Sequence, residues 1–377
     1  MRTLRSFFLA LLVFPLLALA QQMPTPPTLA AKSWLLIESG SGQTLAAQAE
    51  NDRLEPASLT KLMTAYLTFA ALKQGTIKID QAIPVSERAW KTGGSRMFIQ
   101  VNTQVVVDDL IKGMIVQSGN DACVALAEVI AGSEDNFAQM MNREAQRLGM
   151  KSTSFRNATG MPDPQHYTTA RDLATLADAL IRDFPAEYAR YYSLKEFRYN
   201  NITQPNRNRL LFIDPTVDGV KTGHTDAAGY CLISSANRNG RRLLSVVLGT
   251  ASDAVRAQES LKLLNYGYQF YDAVKLYAKD QPVANLRVWK GELSTVKAGF
   301  THDFVAAVPK GFNDRLKSEF VAQPRLIAPI KAGQTLGTLK VTFDGKPYGD
   351  FPVIALEEVP LGGFFTRLID TIRLWFN

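Results

Sequence analysis

The chain has 377 residues, 46% of them hydrophobic, so it has enough length for two domains and enough apolar material for a real core. Its formal net charge of +7 is spread along the sequence with no lysine/arginine block interleaved with aromatics, which argues against a nucleic-acid partner. Two cysteines are too few for a disulfide framework, and the three histidines, His166, His224 and His302, show no metal-ligand spacing, so neither a metal nor a cofactor is expected.

Residues 1–20 read as a secretory signal. Arg2 and Arg5 precede an apolar run over 7–17 and the small-residue pattern Ala18-Leu19-Ala20. The run is too short for a comfortable membrane span. Cleavage after Ala20 places the mature chain outside the cytoplasm, where Cys123 and Cys231 could pair, although sequence does not fix their distance. A Pro-rich leader follows, then a predicted hairpin with strands at 33–38 and 43–48 around Gly40-Ser41-Gly42.

The next stretch, Pro56-Ala57-Ser58-Leu59-Thr60-Lys61, opens an apolar run (Leu62, Met63, Tyr66, Leu67, Phe69, Leu72) with helical spacing that Gly75 ends. Ser58 and Lys61 are three apart, and on a helix such residues share a face. A serine hydroxyl is a weak nucleophile until a neighbouring base takes its proton. A lysine can be that base if burial or a nearby cation lowers its pKa. The spacing alone carries little, because Ser294-Thr295-Val296-Lys297 repeats it in a strand-like stretch.

A glycine loop at 91–95 leads into Met97-Phe98-Ile99, and 108–117 has helical apolar spacing. The polar break Ser118-Gly119-Asn120-Asp121 separates it from a helix over 122–131; its plainest reading is a turn with an Asn or Asp cap. Amphipathic helices at 136–148 and 170–182 bracket a Gly/Pro loop at 160–164. A strand pair is expected at 218–225 and 229–236, then a polar turn at 239–242 and an apolar strand at 243–249. Lys221-Thr222-Gly223 lies on or beside an edge of that pair, where an extended peptide could find backbone partners. Lys91-Thr92-Gly93 repeats the triplet but leads only into loop.

A helix over 254–269 closes this region near Pro282. From 285 to 359 short alternating runs broken by Gly and Pro read as an all-β module. In the tail, Phe365, Leu368, Ile369, Ile372 and Trp375/Phe376 share one helical stripe while Arg367 and Arg373 face away, as in a helix that lies on a membrane surface; docking on its own domain is the other reading.

Ser58-x-x-Lys61, Ser118-Gly119-Asn120 and Lys221-Thr222-Gly223 occur in that order, and the ordered set resembles the serine penicillin-recognising enzymes. More narrowly, the chain is similar to low-molecular-mass penicillin-binding proteins of the D-alanyl-D-alanine carboxypeptidase type. The resemblance implies an α/β (α+β) catalytic domain at 28–282, a sheet flanked by helices with a helical cluster carrying Ser58 and Ser118. It also implies a small all-β domain at 283–359 and an amphipathic anchor helix at 360–377.

By the same resemblance, Ser58 forms an acyl-enzyme, Lys61 is the base with its pKa lowered by Lys221, and Ser118 relays a proton. Asn120 binds the substrate backbone, and the N–H groups of Ser58 and His224 make the oxyanion hole, the His224 side chain being a pocket wall. Thr222, Gly223, Thr225 and Arg256 surround the terminal carboxylate, and Arg207 supports the site from further out. The implied partners are a peptidoglycan pentapeptide stem, β-lactams as inhibitors, and the periplasmic face of the inner membrane. A class A β-lactamase would need a further carboxylate, which Glu196 in Glu-x-x-x-Asn offers only superficially, lying too close to Lys221 and too far past Ser118. A D,D-endopeptidase and a non-catalytic tethered protein are the other readings.

Overall fold

The computed structural model describes residues 25–39 and 41–375; the leader at 1–20, Gly40 and Phe376 lie outside the described residues. Strands Ser33–Glu38 and Thr44–Gln48 form the expected hairpin, and Ser33–Glu38 also pairs antiparallel with Arg241–Thr250. Gly229–Arg238 joins Arg241–Thr250 through Asn239-Gly240, both with positive φ (55° and 80°), as a two-residue hairpin loop requires. Val217–Thr225 is the last strand, at one edge of this five-stranded sheet.

The sheet is buried on both faces. Along Ser33–Glu38, Leu35 and Ile37 enter one core while Trp34 and Leu36 enter the other, the period-two alternation of a strand. Helix Asp253–Phe270 packs on one face and helix Ala170–Asp183 on the other. Behind Ala170–Asp183 lies a cluster of helices: Lys61–Lys73, Val107–Val116, Asn120–Ala131 and Glu134–Leu148. Lys61–Lys73 is apolar or small almost all round, so it is buried on every side rather than along one stripe. Ser133, Thr169 and Ser252 cap their helices by accepting from the backbone N–H three residues on. Gly132 and Gly149 end two helices in the left-handed conformation.

The β-rich part takes up its strand pairing at Tyr271, where Tyr271–Tyr277 pairs with Phe304–Pro309, upstream of the boundary near 282 that the sequence suggests. A six-stranded sheet follows, with its own core around Val296, Leu336, Leu339 and Val353. Gln43 joins the two parts: its Oε1 accepts from Ala307 N at 3.1 Å and from the Tyr348 hydroxyl. The architecture is thus a mixed α/β domain, an all-β domain and a terminal helix, Phe364–Trp375. That helix is fastened by Asp370, which accepts from Lys290 N at 2.7 Å, while Phe364, Phe365, Leu368, Ile369, Ile372 and Trp375 stay exposed. Among the described residues no helix is long and apolar enough to cross a membrane.

Cys123 sits in a helix of the cluster and Cys231 in a strand of the sheet; both are buried and free, so the pairing that an oxidising compartment would permit is not made.

Candidate active site

Ser58 lies in a 3₁₀ turn, Ala57–Thr60, that runs directly into the helix starting at Lys61, rather than on that helix as the spacing suggests. The difference helps the chemistry, because side chains three apart eclipse in a 3₁₀ turn. Lys61 Nζ donates to Ser58 Oγ at 2.8 Å and to the Thr159 carbonyl at 2.6 Å. The turn is backed by the 160–164 loop. A Cβ on Gly160, which has φ of 85°, would fall 1.7 Å from the Ala57 carbonyl oxygen, so only glycine permits this approach.

Ser118 is buried and has φ of 59°, a left-handed backbone that serine adopts at a cost. The polar break is therefore no ordinary capped turn. Ser118 Oγ accepts from Lys221 Nζ at 2.9 Å, and Lys221 Nζ also donates to the Thr222 carbonyl at 3.0 Å. Asn120 N donates to the Ser95 carbonyl and its Nδ2 to the Gly93 carbonyl, each at 2.7 Å, while its Oδ1 is buried without a partner. Asp121 ties down the adjoining loop by accepting from Met97 N, Phe98 N and Ile99 N at 3.0, 2.8 and 3.2 Å. Lys221 arrives on the edge strand, and Gly223 beside it lets that strand lie close to the nucleophile turn. A Cβ at Gly223 would meet the Pro56 carbonyl oxygen at 3.1 Å.

Both lysines are buried, and burial disfavours an ammonium. Lys61 is pushed down to about 8, mainly by burial; Arg207 lowers it further, while Cys123 and Asp121 act against this. Lys221 is pushed well below the ordinary lysine value, again by burial first, then by Lys61 and Arg207. Burial is thus the first cause of the depression at both lysines, and the mutual repulsion of two cations in one cleft acts in the same direction.

These groups meet at a cleft of about 510 Å³. Ser58, Ser118, Thr222, Gly223, His224, Arg207 and Arg256 all line it, and Lys61 and Lys221 are bonded to its two serines. Thr225 does not line it. Its hydroxyl donates to Glu55 Oε2 at 3.1 Å and accepts from Ala228 N at 3.0 Å, so it serves the turn. Arg207 Nη1 donates to Ser95 Oγ at 2.7 Å. The sequence alone does not single out Ser95, Asn206, Arg209, Tyr230 and Asp253, which also line the cleft. The Arg207-Asn208-Arg209 repeat, and an acid three residues before Arg256, were the available signals for two of them.

The decoys fall elsewhere. Lys91 is exposed on a short helix, Lys297 lies in the all-β part beside Glu357 at 3.8 Å, and Glu196 is exposed on a hairpin outside the cleft lining. Among the described residues no group of three or more His, Cys, Asp and Glu side chains is placed to hold a metal ion.

Comparison with known proteins agrees with this geometry. Residues 20–252 match the family described as D-alanyl-D-alanine carboxypeptidase, and 271–361 match the penicillin-binding protein 5 C-terminal domain. The D-alanyl-D-alanine carboxypeptidase DacC of Escherichia coli is 42% identical over 366 residues, 95% of this chain and 91% of the relative. The crystal structure of penicillin binding protein 5 from Haemophilus influenzae superposes with a TM-score of 0.79 at 40% identity, covering 89% of this chain and 99% of that one. Penicillin-binding protein D2 of Listeria monocytogenes, in its ampicillin-bound form, matches at a TM-score of 0.60 and 29% identity over 65% of this chain and all of its own. A pair of lysine–serine contacts in one cleft, on this fold and at this level of identity, means that the chain belongs to the D-alanyl-D-alanine carboxypeptidase family, serine peptidases of the penicillin-binding type.

Proposed function

We propose that Ser58 attacks the carbonyl carbon between the two terminal D-alanines of a peptidoglycan pentapeptide stem. Lys61, in its neutral form, takes the Ser58 proton as the new C–O bond forms. The backbone N–H groups of Ser58 and His224 receive the charge that develops on the carbonyl oxygen. Ser118, bonded to Lys221, passes a proton to the leaving amine, D-alanine departs, and water hydrolyses the acyl-enzyme. Asn120 holds the substrate's backbone amide. Gly223 leaves room for the peptide, Thr222 and Arg256 take the terminal carboxylate, Thr225 shapes the turn beside them, and Arg207, on the cleft wall, supports the site through its bond to Ser95. β-Lactams acylate the same serine.

The observation that carries this reading is the convergence of two lysine–serine contacts, 2.8 Å and 2.9 Å, on one cleft. The test is the purified protein with a pentapeptide ending in D-Ala-D-Ala, followed for free D-alanine and for intact mass after penicillin. One D-alanine per peptide and a lasting penicilloyl adduct are expected. An adduct without D-alanine release would favour a D,D-endopeptidase or a binding role. Rapid penicillin turnover would favour a β-lactamase, and no adduct would overturn the assignment.

The segment 1–20 would export the chain to the periplasmic face of the inner membrane. The catalytic domain, which ends with helix Asp253–Phe270, would then stand off the lipid on the β-rich spacer that begins at Tyr271, with 360–377 lying on the surface as an anchor. Support comes from the terminal helix, whose six large apolar side chains are between 48% and 81% exposed while Asp370 secures its other face. Full-length mature protein should co-sediment with anionic vesicles, and deletion of 363–377 should cut the bound fraction by about ten-fold or more. Equal binding by the two forms would exclude the helix as the anchor.

A further inference from the structure

One wall of the cleft already carries a carboxylate of the protein's own. Asp253, the first residue of helix Asp253–Phe270, accepts on Oδ1 from Arg256 Nη2, and its Oδ2 pairs with Arg209 Nη1 at 3.4 Å. Arg256 is otherwise fixed. Its Nη1 donates to the Gly223 carbonyl at 3.1 Å and to the Cys231 carbonyl at 3.5 Å. Its guanidinium lies 5.5 Å from the centre of the Tyr230 ring, which itself packs on His224 with ring centres 4.0 Å apart.

The three members of this bridge differ in freedom. The Arg256 side chain is 6% exposed, against 40% for Asp253 and 55% for Arg209, so the acid and the outer arginine are the members that can move. Helix capping does not need the Asp253 carboxylate, because Ser252 Oγ already accepts from Val255 N. Among the residues lining the cleft, Asp253 is the acid set against Arg207, Arg209 and Arg256.

We propose that Asp253 is an internal competitor for the subsite that takes the substrate's terminal carboxylate, and that Arg209 holds Asp253 when substrate displaces it from Arg256. The pair then sets how strongly the enzyme prefers a free carboxylate over a neutral chain end. This rests on the reading of Arg256 as a carboxylate ligand. The exchange strands no charge: one carboxylate replaces another on Arg256, and the displaced one stays paired with Arg209. Asp253 and Arg209 are specificity-determining residues and take no part in bond making.

The test uses the full mature chain with a matched pair of substrates, an acyl-D-Ala-D-Ala free acid and its C-terminal amide. Asp253→Asn should lower KM for the acid about three- to ten-fold while moving that for the amide less than about two-fold, the scale of one partly screened charge pair. Arg209→Ala should raise KM for the acid by a similar factor, because Asp253 then competes undivided for Arg256. Asp253→Glu, which keeps the charge, should bring KM back toward wild type. Equal shifts for acid and amide in Asp253→Asn, or a higher KM for the acid, would overturn the proposal. Arg256→Gln separates the two levels. If it leaves the acid-to-amide ratio of KM at the wild-type value, the carboxylate subsite is misassigned. If it collapses the ratio while Asp253→Asn and Arg209→Ala move nothing, only the competitor role falls. Should Asp253→Asn fail to fold, the Arg209→Ala arm still decides.

Discussion

Ser58→Ala will lose D-alanine release and the penicilloyl adduct together, with kcat falling by about 10⁴- to 10⁶-fold, the range seen when a serine hydrolase loses its nucleophile. The hydroxyl supplies the atom that forms the new covalent bond, and Lys61 has nothing to deprotonate without it. The fold should not suffer. Ser58 is half-buried at the cleft, its Oγ is bonded to Lys61, and Lys61 keeps its bond to the Thr159 carbonyl. Intact-mass spectrometry after penicillin, beside a thermal melt, reads both statements. An adduct that persists in the alanine variant would make Ser118, the other lysine-bonded hydroxyl in the cleft, the nucleophile.

Lys61→Met and Lys61→Arg should each lower kcat/KM by about 10³-fold or more, within the range for a positioned base in such a site. The arginine variant fails despite keeping a cation, because a guanidinium does not give up its proton near neutral pH. The pH profile carries the sign. A base acts only when unprotonated, and Lys61 is pushed down to about 8. In the wild type, the acylation rate should therefore climb about ten-fold per pH unit below that value and level off above it. The variants should have no such limb, and a wild-type rate that is flat from pH 6 to 9 would rule Lys61 out as the base. The same depression is a cost to stability. It is fully present below about 8, where the folded state must either bury the charge or release a proton that the unfolded chain keeps. It fades as pH rises toward the ordinary lysine value of 10.5.

The parts of this protein that could be read from sequence were those where local pattern and chemistry coincide. Helix Ala170–Asp183 shows its apolar face at regular spacing, and the turn at Asn239-Gly240 announces itself by residue type. Two of the three short motifs sit at boundaries between elements, and the third, Lys221-Thr222-Gly223, lies within the edge strand Val217–Thr225. What could not be read depends on contacts between distant segments. Nothing near Gly160 says that the carbonyl of Ala57 will lie against it, and nothing near Asp121 says that it will hold three N–H groups more than twenty residues upstream. Thr225 misled in the opposite direction. Its neighbours in the Lys-Thr-Gly-His-Thr run made it look like a ligand for substrate, whereas its hydroxyl is spent on Glu55 and Ala228. The 3₁₀ turn under Ser58 was hidden because a three-residue spacing suits both kinds of helix.

Ser58, Lys61 and Ser118 ride on the helical layer, while Lys221 comes from the edge strand of the sheet, so the proposed proton path crosses the seam at which the two layers share one core. A slip of about an ångström along that seam would part Lys221 from Ser118 while leaving both layers folded, and displacements of that size can cost catalysis about 10²-fold. Under heat or denaturant, D-alanine release is therefore expected to fall before the circular-dichroism signal of either layer does, and coincident loss of the two would show that the seam yields only with the fold.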